Sequence, residues 1–167
     1  MKNYEQLLAL VDEVNNLIDT TNAKTKELTD AVTAVKVNAY EQILTTLREM
    51  YTIMKQIGRR ETFWYDTGLK GICYEDVEFL GEQLNKNVFI QVSRHGALIH
   101  IGKDHCEDGV PIEYKDCNAC RFLMNYLDLE DMEEKFTIWV AERLKEKAEK
   151  ANEEYAEARQ KYEEVYR

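Results

Sequence analysis

The first 57 residues contain neither glycine nor proline, and no other feature of the chain restricts its fold so strongly. The two residues that most readily interrupt a helix are missing over a length that, as one helix, would rise about 85 Å. Apolar or small side chains recur through it at Tyr4, Leu7, Val11, Val14, Ile18, Thr21, Thr25, Leu28, Val32 and Val35. The steps alternate three and four, which is the seam of a heptad coiled coil. The register slips by one near Ala39 and Tyr40, then resumes at Ile43, Leu47, Met50, Met54 and Ile57. Gly58 follows at once, where a helix C-cap would sit. The run Asp19-Thr20-Thr21-Asn22 is the weak point, because two successive seam positions are threonine. We expect the helix to run through it; a turn there is the alternative.

Residues 129–167 predict a second long helix. Asp128 is placed to cap it, and Glu130, Asp131, Glu133 and Glu134 put negative charge where the helix dipole favours it. Its seam passes through Met132, Phe136, Val140 and Leu144, then alternates alanine with tyrosine at Ala148, Ala151, Tyr155, Ala158 and Tyr162. Small residues facing large ones suggest close packing against another helix. The charged positions between them supply weak i,i+4 support and read as a solvated face.

All seven glycines lie between residues 58 and 109, so residues 58–128 predict a small folded head. Thr62–Asp66 reads as a strand, Tyr74–Asn85 as a short helix, Val88–Ser93 and Ala97–Ile101 as a hairpin. With a two-residue turn at His95-Gly96, Val92 would face Ile99, and Gln91 and His100 would pair on the other side. Glu113–Lys115 is a further candidate strand and Asn118–Leu127 a short helix. The expected fold class is therefore α+β: long antiparallel coiled-coil helices at residues 1–57 and 129–167, flanking a hairpin-containing head at 58–128.

Two antiparallel helices of these lengths, about 85 Å and 58 Å, would leave about 18 residues of the first unmatched. Those residues carry Leu7, Leu8, Val11, Val14, Leu17 and Ile18, a stripe too apolar to leave in water. Either the chain folds back at Thr20–Ala23 into a three-helix stalk, or the stripe meets another molecule. A second copy is the first expectation, since symmetric homo-oligomers dominate among assemblies. A different protein partner is the other.

Chemistry is harder to find. Three of the four cysteines fall in DHCEDGVPIEYKDCNAC, residues 104–120. Zinc takes four Cys or His ligands, commonly as two close pairs. Cys117 and Cys120 form one CxxC pair; His105 with Cys106 is the other pair, in which Cys73 or His100 could replace one member. Adjacent side chains point apart in extended backbone, so plain reduced thiols are the simpler reading. Zinc stands as the one cofactor candidate. Arg59 and Arg60 beside Trp64, with His100, make a second candidate cluster for a small ligand, although arginine stems packed on rings would look the same. There is no glycine-rich phosphate cradle, no GxSxG elbow, no HExxH and no kinase set. A catalytic role is not expected.

Charge narrows the partners. Thirty-two acidic residues against 22 basic ones give a net charge of −10. Displacing counterions from phosphates needs lysine and arginine, so direct nucleic-acid binding is disfavoured, as is an anionic membrane. No secretory leader and no run of 18 apolar residues is apparent, so a cytoplasmic setting is expected. These features point to a non-catalytic interaction protein that self-associates through its stalk and binds a partner by its head or N-terminal stripe. One alternative is an acidic stoichiometric inhibitor, of the phage counter-defence kind, that mimics a nucleic acid before a basic groove. The other is a head that binds a small molecule or zinc.

Overall fold

Helix α1 runs without a break from Tyr4 to Ile57. The threonines expected to weaken it are instead tied into it. The hydroxyls of Thr20 and Thr21 donate to the carbonyls of Asn16 and Leu17, both at 2.8 Å. Thr25, Thr29 and Thr33 make the same bond one turn back, each at 2.9 Å. A threonine that bonds back to the preceding turn satisfies its hydroxyl while its backbone stays helical. The fold-back at Thr20–Ala23 does not occur.

The structure, a computed structural model, describes residues 3–58, 60–68, 88–101, 105–106 and 109–166, without the side chains of residues 101, 105 and 106. It divides into two compact units, residues 1–39 and 40–167. The first is the N-terminal part of α1, in which every described residue through Lys36 is exposed. Burial starts where the sequence register slips. Tyr40 is fully buried, and Ile43, Leu44, Leu47, Met50 and Met54 follow it into the core of the second unit.

That core lies under one face of a small antiparallel sheet. Strands β1 (Thr62–Asp66), β2 (Val88–Ser93), β3 (Gly96–Ile101) and the two-residue β4 (His105–Cys106) are ordered β1-β2-β3-β4. Period-two alternation sends Phe63, Tyr65, Val88, Ile90, Val92 and Ile99 inward. Helix α2 (Asn118–Tyr126) adds Cys120, Phe122 and Leu123; helix α3 (Leu129–Val165) adds Met132 and Phe136. Asp128 caps α3 as expected, accepting from the Asp131 amide at 3.0 Å. The α+β class, with two long helices and a small central sheet, is the observed one.

Four details differ from expectation. The hairpin turns at Arg94-His95, so Val92 pairs with Ala97 and Ile90 with Ile99. Arg94 and His95 keep negative φ and Gly96 takes φ 109°, the pattern of a turn closed by a glycine bulge. This two-residue slip keeps every side chain on its expected face. Glu113–Lys115 forms no strand. Tyr74–Asn85 lies outside the described residues.

The third difference is direction. Where α1 and α3 meet they run the same way, not antiparallel. Thr46 donates to Glu133 Oε1 at 3.0 Å, and further along both helices the Lys147 ammonium donates to the Ile57 carbonyl. Topology explains it. Strand β1 leads away from the end of α1, and Tyr65 near its far end donates to Asp131 in the first turn of α3 at 2.8 Å, so α3 sets out from that far end and runs back toward the level of Ile57. The Tyr40 hydroxyl reaches the Pro111 carbonyl at 2.6 Å, whereas Tyr51 reaches the Arg94 carbonyl at the hairpin turn, at 2.8 Å. Gly58 also serves differently from a left-handed cap. Its φ is not positive, and a Cβ there would lie 2.9 Å from Lys147 Nζ. It leaves room for the lysine that caps the α1 carbonyl from another helix.

Candidate functional site

Exposed large apolar side chains among the described residues are most numerous on the heptad face of α1 in the first unit. Leu7, Leu8, Val11, Val14, Leu17 and Ile18 are between 45% and 65% exposed. Leu28, Val32 and Val35 continue the seam at 55–69%. Helix periodicity alone brings them together, since positions three and four apart stack on one side. Leu8, Leu10 and Leu17 flank the seam only in its first half, so the stripe is broad to Ile18 and narrow beyond. The threonines at Thr21 and Thr25 are its two breaks. With their hydroxyls turned back to the carbonyls of Leu17 and Thr21, no hydroxyl proton is left needing a partner. Contiguous apolar surface of this kind is more than a folded chain ordinarily leaves in water.

The outer face of the sheet gathers two of the four predicted ligand residues. Trp64 and His100 stand with ring centroids 4.9 Å apart, and Phe89 is 6.4 Å from Trp64. Gln91 faces Leu98 and His100 faces Phe89, so the expected Gln91–His100 pair exists as a diagonal contact. His100 Nε2 and Gln91 Oε1 are hydrogen-bonded at 2.6 Å. Arg60 is exposed, and Arg59 lies outside the described residues.

The cysteines divide by environment. Cys117 precedes α2 and is half-buried, whereas Cys120 in the first turn is fully buried. The Cys120 sulfur accepts from the Lys115 amide at 3.3 Å and lies 4.0 Å from the Glu113 carbonyl. Burial pushes its thiol above the ordinary value, against the pull of that amide. Burial likewise pushes the Tyr40 phenol up, helped by its contact with Cys120. A buried thiol with these contacts packs as a small apolar side chain. The other two predicted metal ligands, His105 and Cys106, pair their backbone with β3, but their side chains are outside the description, as is Cys73. Among the described residues no three His, Cys, Asp or Glu side chains converge as a metal would require.

Among the hollows of the second unit that sequence reasoning missed, two border the sheet. One, of about 340 Å³, is lined by Tyr51, Met54, Lys55, Gly58, Glu61 and Arg94. The other, of about 160 Å³, is apolar and lined among others by Leu44, Leu47, Val92, Ala97 and Ile112. Both need the true hairpin register and the α1–sheet packing, which no local pattern encodes. The second is smaller than the clefts that enclose drug-sized ligands. No protein-family model, curated protein or solved structure matches the chain. No helix of the described residues is long and apolar enough to cross a membrane.

Proposed function

We propose that this chain is a non-catalytic interaction protein that self-associates through the heptad face of α1, leaving the sheet-bearing second unit to present a surface to a protein partner. One observation carries the reading: more than thirty residues of α1 are exposed, yet they carry an apolar heptad seam broken only at Thr21 and Thr25. The length mismatch that first motivated it rested on antiparallel helices and no longer counts. Exposure replaces it as the argument.

The mimicry alternative draws less support. Along α3, Lys145, Lys150 and Arg159 lie opposite Glu149, Glu154 and Glu163 one turn on, at 2.9–3.9 Å. A helix face that interleaves both signs is a poor copy of a phosphate backbone. A ligand-binding second unit rests only on the Trp64–His100 contact.

Sedimentation or light scattering of the full chain tests the proposal. A mass of two or more chains at micromolar concentration is expected. A single-chain mass across that range overturns it.

A further inference from the structure

The face of α1 has its own directional information, and it comes from charge. Between residues 3 and 20 the helix carries Glu5, Asp12, Glu13 and Asp19 and no lysine or arginine; beyond, Lys24, Lys26 and Lys36 outnumber Glu27 and Asp30. Two copies laid side by side in parallel would set acidic half against acidic half. Laid antiparallel, each acidic half meets the basic half of the other, and the helix dipoles oppose as well. The flanking positions that usually choose orientation are nearly uncharged here, so this longer-range asymmetry decides.

The threonines argue the same way. Parallel pairing in register would stack Thr21 on Thr21 and Thr25 on Thr25 of the other copy, two weak layers in succession. Antiparallel pairing about a two-fold axis between residues 19 and 20 matches each seam position of one type with one of the other. Leu7 then meets Val32, Val11 meets Leu28, and Ile18 meets Thr21. Every threonine layer gains an aliphatic partner. Burying Thr21 strands no hydroxyl proton, because its bond to the Leu17 carbonyl is already made at 2.8 Å. Shifting the pair by a heptad in either direction would leave part of the seam in water.

We infer that the occupant of the α1 face is the same segment of a second copy, running antiparallel, with Val11 of one chain layered on Leu28 of the other. The inference rests on the self-association proposed above and adds the partner's direction and register. Placing the two copies of residue 40 at opposite ends of the pair also separates the second units, which hold most of the chain's −10 charge.

The test uses the full chain with a photo-crosslinking side chain, Leu8→p-benzoylphenylalanine, in a mixture of unlabelled and 15N-labelled protein. Expected is a dimer's mass and inter-chain adducts within residues 29–32. The reciprocal variant, Thr29→p-benzoylphenylalanine, should mark residues 7–11, which guards against one probe disturbing the seam. Adducts within residues 3–11 from the Leu8 probe mean a parallel pair and overturn the inference while self-association stands. So do adducts in residues 138–165 of the other copy, or a dimer with no adduct in the expected windows from either probe. A single-chain mass for the unsubstituted protein overturns the self-association reading itself.

Discussion

The Tyr65 hydroxyl donates to Asp131 Oδ2 at 2.8 Å and so ties strand β1 to the first turn of α3. Lys135 reaches the same oxygen at 2.7 Å from one turn along. The two contacts differ in worth. Tyr65 is buried, whereas Asp131 and Lys135 are substantially exposed, and exposed ion pairs contribute little. Tyr65→Phe should therefore cost about 1–2 kcal/mol in urea unfolding, the usual range for a lost hydrogen bond. Lys135→Met should cost less than Tyr65→Phe.

The same cluster sets a pH signature. Burial, then the bond to Asp131, raises the Tyr65 phenol above its ordinary value of 10.0; burial does the same to Tyr40. A raised pKa means the folded state holds its proton more tightly, so this stability is whole below pH 10 and drains away as pH climbs above it. Asp131 goes the other way. Hydrogen bonds from Lys135 and Tyr65 lower its carboxyl, so its contribution is present above the ordinary carboxylate range and lost as acid protonates it. Unfolding followed by circular dichroism should show stability falling above pH 10, and Tyr65→Phe should flatten that alkaline limb. A limb of unchanged slope in the variant would count against Tyr65 as its source.

Charge placed in the seam should dissolve the assembly without touching the core. Ile18→Asp puts a carboxylate among exposed apolar residues of the first unit, where a paired helix would have to desolvate it. The mass by light scattering is expected to fall to one chain. Tryptophan fluorescence should stay the same, because Trp64 and Trp139 belong to the second unit.

How much of this was legible in the sequence depends on whether the signal was local. The α1 seam, the Asp128 cap and the strand at Thr62–Asp66 follow from periodicity and capping within a few residues, and the structure has them. Even the slip at Ala39–Tyr40 had meaning: the seam before it is exposed and the one after it enters the core. The direction of α3 could not be read, because it depends on which end of β1 the helix starts beside, a contact between Tyr65 and Asp131 sixty-six residues apart. Nor could the Lys147 cap on Ile57, ninety residues apart in the chain. Hairpin register failed for a subtler reason. Apolar alternation fixes the face but not a two-residue slide, and Gly96 fits a bulge position as readily as a turn centre.

Gly96 provides a check on that register. At φ 109° a side chain is strained even though open space surrounds the position, so Gly96→Ala should cost about 1–3 kcal/mol through backbone strain alone. Gly58→Ala has no such φ and should be paid in geometry instead, by displacing Lys147 from the α1 terminus. Chemical denaturation of both variants, with and without Lys147→Met, separates the effects: the second substitution should reduce the cost of Gly58→Ala and leave that of Gly96→Ala unaltered.

Thiol chemistry should follow burial. Cys120 has no exposed surface and its thiol is held above the ordinary range, while Cys117 is half-buried. The thiolate is the species that alkylates, so iodoacetamide at neutral pH should modify Cys117 well before Cys120, as read by peptide mass mapping. In denaturant the two should react alike. Equal rates in the native protein would remove Cys120 from the core.

The aromatic cluster where β1 meets α3 offers the sharpest test of packing. Phe136 stands edge-on to Phe63, with centroids 5.2 Å apart, and stacks on Trp139 at 5.6 Å. It is 5% exposed, whereas Ile138, two residues on, is 52% exposed. Removing a buried phenylalanine forfeits both its transfer free energy and the contacts around the cavity left behind, about 3–5 kcal/mol. Removing an exposed isoleucine from a helix forfeits little, within about 0.5 kcal/mol. Phe136→Ala and Ile138→Ala, compared by urea unfolding, should differ accordingly, and Trp139 emission should shift only in the first. Equal losses at the two positions would mean that α3 does not present the Phe136 face to the sheet, and the shared core of helices and strands would have to be drawn again.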